Sequence, residues 1–279
     1  MFQPESYTLA LSFMVVSMLC WGSWANTIKL CPGYRFQLFY WDYVIGVVAG
    51  AVVWGVTLGS LGHSGLPFFA DIAHAPASRI ALAFAGGVIF NIANLLLVAA
   101  IDIAGLAVAF PVGIGLALVV GSVGSYIVSP KGNPALLFGG IAIVVLAIIF
   151  DAAAYRIREQ QRSVSTRGVV LSLISGVLMG SFYPLVSRAM TGERAPGPYA
   201  TTFCFAIGVA ACSLVANSLL MRRPLDGREP VQFGAYARAQ AGWHVWAFFG
   251  GLIWCTGAVL NFVASQAHIV GPAVSYTVG

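Results

Sequence analysis

Nearly the whole of this sequence divides into apolar runs of about twenty residues, and that feature leaves the chain few folds. A hydrocarbon core of about 30 Å is crossed by about 20 helical residues, and backbone in lipid must satisfy its own hydrogen bonds, so such runs read as membrane helices. Broken at Gly, Pro and charged residues, they give spans near 7–29, 38–59, 79–101, 105–127, 134–155, 168–190, 199–221 and 243–265, with a ninth beginning near Ile269 and cut off. The link "DIAG" (102–105) is the least marked break, and one long kinked helix is the alternative there. Of the 279 residues 59% are hydrophobic and 8% charged, which is too little charge for a soluble surface. The expected fold class is an all-α polytopic membrane helical bundle.

The first span follows no basic segment and precedes no small-residue cleavage site, so it reads as a retained helix and not a signal peptide. Cys20, Cys31, Cys204, Cys212 and Cys255 show no CxxC spacing and sit mostly in apolar runs, where packing is the better reading than a disulfide or metal role. Phosphate-loop, HExxH and Gly-x-Ser-x-Gly motifs are absent as well, so neither an enzyme nor a metal or cofactor is expected. The net charge of +5 resides in short loops, which points to membrane orientation and not to nucleic acid. With the N-terminus outside, ten of the fourteen Lys and Arg fall in inside loops, so "RIREQQRSVSTR" (156–167) is expected in the cytoplasm. The expected location is an integral membrane one, in a bacterial inner membrane.

A repeat runs through the chain. "AFAGGVIFNIANLLLVAAIDIAGLAVAFPVG" (83–113) aligns with "AFFGGLIWCTGAVLNFVASQAHIVGPAVSYTVG" (247–279), placing Gly86-Gly87 on Gly250-Gly251 and Gly105 on Gly271. More weakly, "WGSW" (21–24) aligns with "MGSF" (179–182). Residues 1–155 are thus expected to form a first five-helix repeat, 156–167 a linker and 168–279 a second repeat. Five preceding spans reverse the second half across the membrane, an inverted architecture in which one half rocks against the other around a midplane site. The first half continues about forty-five residues past Gly113 while the second stops at the matching Gly279, so the expectation is a ten-helix protein with about eight and a half helices present.

Polar side chains in hydrocarbon need a partner or a wet cavity and are therefore the site candidates. Gly22, Asn26 and Lys29 share one face of the first span beside Trp21 and Trp24. Trp24 and Asn26 are candidates for a pocket in which an indole stacks a flat solute and an amide bonds it, whereas Lys29 reads as snorkelling to the interface. Asp42 enters the second span at the same end as Lys29; a structural ion pair is the leading reading and a coupling proton the other. Asn91, Asn94 and Asp102 lie within about 80° on one face, and Trp254, Asn261 and Ser265 within about 40° on another. Tyr183 with Pro184 occupies the place of Trp24 in the second half, while Arg188 and His268 are weaker candidates. The Gly pairs 46/50, 55/59 and 176/180 favour close helix packing.

"CWGSWANTIKL", "YWDYVIGVVAGAVVWGVTLGSLG", "LPFFADI" and the 83–112 segment together resemble, by order and spacing, the ureide permease-like family of the drug/metabolite transporter superfamily. The resemblance covers about two-thirds of the chain. It implies ten helices in two inverted halves and uptake of a small polar solute, typically a ureide or a nitrogenous ring compound such as allantoin or uracil, with proton coupling. Plant members carry a long cytosolic central loop, whereas here it is 156–167 only, which fits a prokaryotic relative. Bacterial glucose/ribose and rhamnose porters, or a multidrug exporter of the same superfamily, are the rival readings, and a non-transporting receptor or membrane enzyme is the alternative from another class. The leading expectation is a secondary permease whose pocket is lined by Trp24, Asn26, Asn91, Asn94, Tyr183, Trp254 and Asn261.

Overall fold

Serine, proline and glycine set the helix ends. The Ser6 hydroxyl accepts the Leu9 N–H at 3.3 Å and opens α1 (Tyr7–Ser23); a turn at Trp24-Ala25 separates it from α2 (Asn26–Lys29). The span expected over 7–29 is present as Tyr7–Lys29, with a local turn at Trp24-Ala25 dividing it into two helical pieces. Then come α3 (Phe36–Val56), the short α4 (Phe68–His74), α5 (Ala77–Ala104), α6 (Leu106–Val128) and α7 (Pro134–Arg158). Ser165 caps α8 (Thr166–Ala189), Pro198 begins α9 (Pro198–Arg222), and α10 (Phe233–Ala237), α11 (Ala241–Gln266) and α12 (Pro272–Val278) follow. The computed structural model describes residues 1–131, 133–158, 165–225, 227–267 and 270–279, and in those ranges every side chain except those of residues 102, 106, 107, 110, 151, 152 and 155–158.

Helix dominates the described residues, which carry no strand. Seven segments among them are long and apolar enough to cross a bilayer, and the apolar part of α7, Pro134–Phe150, is shorter. The "DIAG" link is a true break: Gly105 stands at φ 82° and ψ 156° between α5 and α6. Gly271, before α12, repeats that conformation at φ 75° and ψ 165°. Only glycine adopts this region without strain, because a Cβ would collide with its own backbone.

The centre of the bundle is built from α3, α5, α8, α9 and α11. α5 and α6 lie along α8, α3 lies on α11, α5 on α9, and α1 covers α11 from outside. Lipid is as apolar as leucine, so these helices gain little from hydrophobic exclusion and associate through close backbone approach. Two crossings supply it. At the α3–α11 crossing a methyl group on Gly46 would meet the Phe248 carbonyl, and one on Gly251 would meet the Tyr43 carbonyl. At the α5–α9 crossing one on Gly87 would meet the Phe205 carbonyl, and one on Gly208 the Phe84 carbonyl. Each glycine thus abuts the carbonyl of the residue three before its partner glycine. Outward, Leu19, Ile45, Leu136, Phe150 and Leu214 are exposed, as lipid-facing positions are.

The ends are tied by polar contacts among helix ends and loops. Asp71 accepts the Gly197 N–H at 2.8 Å, and Arg79 donates to the Arg188 carbonyl at 2.6 Å. At the opposite end Arg35 reaches the Glu229 carbonyl at 3.5 Å. That end, which also holds Lys29, Arg222, Arg223 and Arg238, is called the basic end below.

Gly251→Ala forces a methyl group into the Tyr43 carbonyl, whereas Gly22→Ala meets open space. The first is expected to destabilise the detergent-purified protein by about 1–3 kcal/mol. Thermal unfolding followed by tryptophan fluorescence checks this, with the second substitution remaining at the wild-type midpoint.

Candidate functional site

An aromatic layer crosses the middle of the bundle. Phe90 and Trp254 are each the fourteenth residue of antiparallel helices, α5 and α11, one turn beyond Gly87 and Gly251. Their rings meet at 4.4 Å. Phe205 stacks on Trp254 at 5.8 Å, Phe182 meets Phe90 edge-on at 5.3 Å, and Trp21 lies over Trp254 at 6.1 Å while its indole N–H donates to the Trp254 carbonyl. Such offset and edge-on contacts are the favoured aromatic geometries, and they make the layer cohesive.

Polar side chains gather on both sides of this layer. Towards the basic end, Asn94 Nδ2 donates to the Tyr40 hydroxyl at 3.1 Å, and Tyr40 donates to Asn91 Oδ1 at 2.8 Å. The Ser213 hydroxyl lies 3.0 Å from the same oxygen. Tyr40 and Tyr43 stack at 5.2 Å, and Trp24 leans on Tyr43 at 4.8 Å, so an indole and two phenols wall the amides. Beyond the layer, the Tyr183 hydroxyl donates to Asn261 Oδ1, Asn261 Nδ2 donates to the Ser275 carbonyl at 2.8 Å, and Tyr276 packs on Tyr183 at 4.5 Å. Seven residues past Trp254, Asn261 lies about 10 Å along α11 from the layer. Both groups are buried.

A third group lies at the basic end. Asp42, buried, accepts from the Tyr236 hydroxyl at 2.6 Å, from His244 Nδ1 at 2.8 Å and from the Tyr34 hydroxyl at 3.3 Å. Burial first, and the Asp42 carboxylate next, push the Tyr34 and Tyr236 hydroxyls well above the ordinary tyrosine value, so both remain donors. Tyr236 and His244 meet edge-on at 4.6 Å. The group joins the start of α3 to α10 and to the start of α11 at this end.

The expected residues are therefore divided, not gathered in one pocket. Asn91 and Asn94 share one network, Tyr183 and Asn261 another, and Trp254 stands between them; Trp24 borders the first. Asn26 is outside: with Gly22 and Lys29 it faces away from the bundle, and its amide oxygen accepts from Lys29 Nζ at 3.0 Å, while Thr27 takes the inward position. The shared face of that span holds, but the neighbouring helix lies on the other side. The Asp42–Lys29 pair does not form, because His244 and two tyrosines already occupy the carboxylate. The Asp102 side chain and His268 lie outside what is described. Tyr40, Tyr34, Tyr236 and His244 are additions. His244 opens a span whose preceding loop shares the end of Asp42 by the orientation count, which was the signal for that pairing; a long-range tyrosine–amide contact leaves no trace in a single sequence.

A sequence profile of the family described as Ureide permease matches residues 39–167. Ureide permease 1 of Arabidopsis thaliana is 23% identical over 96% of this chain and 85% of the relative. Ureide permease 4 of the same plant is 22% identical with the same coverage, and ureide permease 3 is 23% identical over 96% of this chain and 88% of its own length. The chain is ureide permease-like. With its apolar helices, that makes this ureide permease-like chain an integral membrane transporter. The matched relatives are plant proteins, so the comparisons lend nothing to the bacterial membrane expected from the short central loop.

Tyr40→Phe removes the hydroxyl that both receives from Asn94 and donates to Asn91. It is expected to destabilise the protein by about 0.5–2 kcal/mol. A drop in the thermal midpoint in detergent, absent in a Tyr7→Phe control at the exposed start of α1, is the readout.

Proposed function

We propose that the chain is a secondary permease for a ureide or a related small nitrogenous ring compound, working by alternating access between two inverted five-helix halves. The observation that carries the reading is the aromatic layer with amide–tyrosine groups on either side. Rings at a membrane midplane can stack a flat solute, and amides one to two turns away can bond it, so a solute passing the layer meets similar chemistry on both sides. The names of the plant relatives support the ureide class.

The repeat is supported by the crossings. Gly46 and Tyr43 of α3 stand to Gly251 and Phe248 of α11 as Gly208 and Phe205 of α9 stand to Gly87 and Phe84 of α5. Phe84 aligns with Phe248 and Gly87 with Gly251, each 164 residues apart, while "YVIGVVAG" (43–50) aligns with "FAIGVAAC" (205–212). Both crossings join one half to the other at mid-helix. Bare backbone contacts without interlocking side chains make them natural pivots, about which the halves tilt while the aromatic layer parts on one side and then the other. The basic end faces the cytoplasm in this reading.

Asp42 is the proton-coupling residue of the proposal. Its carboxylate holds Tyr34, Tyr236 and His244 together across the two halves; protonating it removes the charge that all three donors address and loosens that end.

Uptake of labelled allantoin and uracil into proteoliposomes tests the function. The expected result is accumulation driven by an imposed proton gradient; transport of glucose or rhamnose alone would favour the sugar-porter reading. Asp42→Asn is expected to lower gradient-driven accumulation at least about tenfold while preserving solute exchange at equal concentrations. Gradient-driven uptake left intact in that variant would remove Asp42 from coupling.

A further inference from the structure

The polar group on the basic side of the aromatic layer is almost, but not wholly, self-satisfied. In the chain running from Asn94 through Tyr40 to Asn91, the Asn91 carboxamide oxygen takes the Tyr40 proton, with the Ser213 hydroxyl beside it. That orientation leaves the Asn91 amino group with no partner, and the amide is fully buried. Beside Tyr40 in the ring stack, the Tyr43 hydroxyl is also fully buried and also without a partner. Buried donors left unmade are costly, and a native fold that retains two on helices linked by the Tyr40–Asn91 bond has a use for them.

In the permease reading, both groups stand beside the residues that a solute approaching the layer would meet. Tyr43 lies between Trp24 and Tyr40, at 4.8 and 5.2 Å ring separation, and one turn before Gly46 at the α3–α11 crossing. Asn91 is the next residue after Phe90, which forms the aromatic layer with Trp254. The Asn91 amino group can only donate, and the Tyr43 hydroxyl, with no acceptor of its own, has its proton to offer. Resting on the permease reading above, we infer that Tyr43 and Asn91 are the residues that select the solute, by donating to a carbonyl oxygen on a flat neutral ring. Sugars, which offer hydroxyls and no planar face, satisfy the pair poorly, and a urea-type or imide carbonyl satisfies it directly. Because neither donor is bonded within the protein, recognition requires no internal hydrogen bond to break. Selectivity of this kind is strong, since a ring lacking the acceptor leaves the donors buried and unpaired.

The test is competition against labelled allantoin uptake in proteoliposomes by two rings of one shape, imidazolidin-2-one and imidazolidine-2-thione, the sulfur being the poorer acceptor. Wild-type protein is expected to prefer the oxo ring by about tenfold, and Tyr43→Phe to bring the two within about twofold of each other. Because the Tyr43 hydroxyl is unbonded, this variant should keep or raise the thermal midpoint, which separates recognition from folding. Asn91→Asp is the second variant: it keeps an oxygen towards Tyr40, removes the amino donors, and should abolish the oxo preference too. Wild-type preference retained in Tyr43→Phe overturns the inference and leaves the permease reading standing. Failure of the wild-type protein to take up allantoin or uracil overturns that reading, and the inference with it.

Discussion

Close backbone contact at mid-membrane is the constraint on which the rest of the structure depends. Inside a bilayer, helices are not driven together by exclusion from water, so they must gain packing energy by approaching closely, and only glycine permits the approach seen here. Gly46 with Gly251, and Gly87 with Gly208, bring four helices to carbonyl contact near their centres. Their positions fix what lies one turn away: Phe90 and Trp254 meet at 4.4 Å, with Asn91 directly after Phe90, and Tyr43 stands one turn before Gly46. The aromatic barrier follows from the crossings.

Polar groups then distribute according to what the membrane tolerates. Neutral amides and phenols occupy the interior, where most are satisfied by one another, as in the Asn94–Tyr40–Asn91 and Tyr183–Asn261 bonds. Asp42, which is charged, sits near a helix end with three donors around it. A fixed charge in the centre would require a permanent counter-charge or water. A transporter whose centre is neutral and whose charge guards one end can carry a neutral solute without moving a buried ion past the aromatic layer.

Much of the architecture was legible because it rests on local rules. Span length gave the helices, and Gly105, a residue type suited to a backbone forbidden to others, turned an ambiguous run into two helices. Asn91 and Asn94 were legible as one face because α5 is regular. What failed needed knowledge of neighbours. Periodicity placed Gly22, Asn26 and Lys29 on one face but could not say that α11 packs against the opposite one, so Asn26 went to the pocket when it belongs outside. Charge pairing by proximity along the chain chose Lys29 for Asp42, whereas the partners, Tyr236 and His244, arrive from about two hundred residues away. One aligned repeat suggested one pocket; the antiparallel course of α5 and α11 instead sends their amides to opposite sides of the aromatic layer.

Reciprocal opening of the two ends is the central claim, and paired distance measurements test it most directly. Spin labels at Leu30 and Phe233 report the basic end, and labels at Leu61 and Glu193 the other, all four positions being exposed. With native cysteines replaced by alanine and the protein in lipid nanodiscs, pulsed electron resonance would be recorded with and without allantoin. Tilting about the glycine crossings requires one separation to lengthen as the other shortens. Two distances that stay fixed, or move in the same sense, would contradict it.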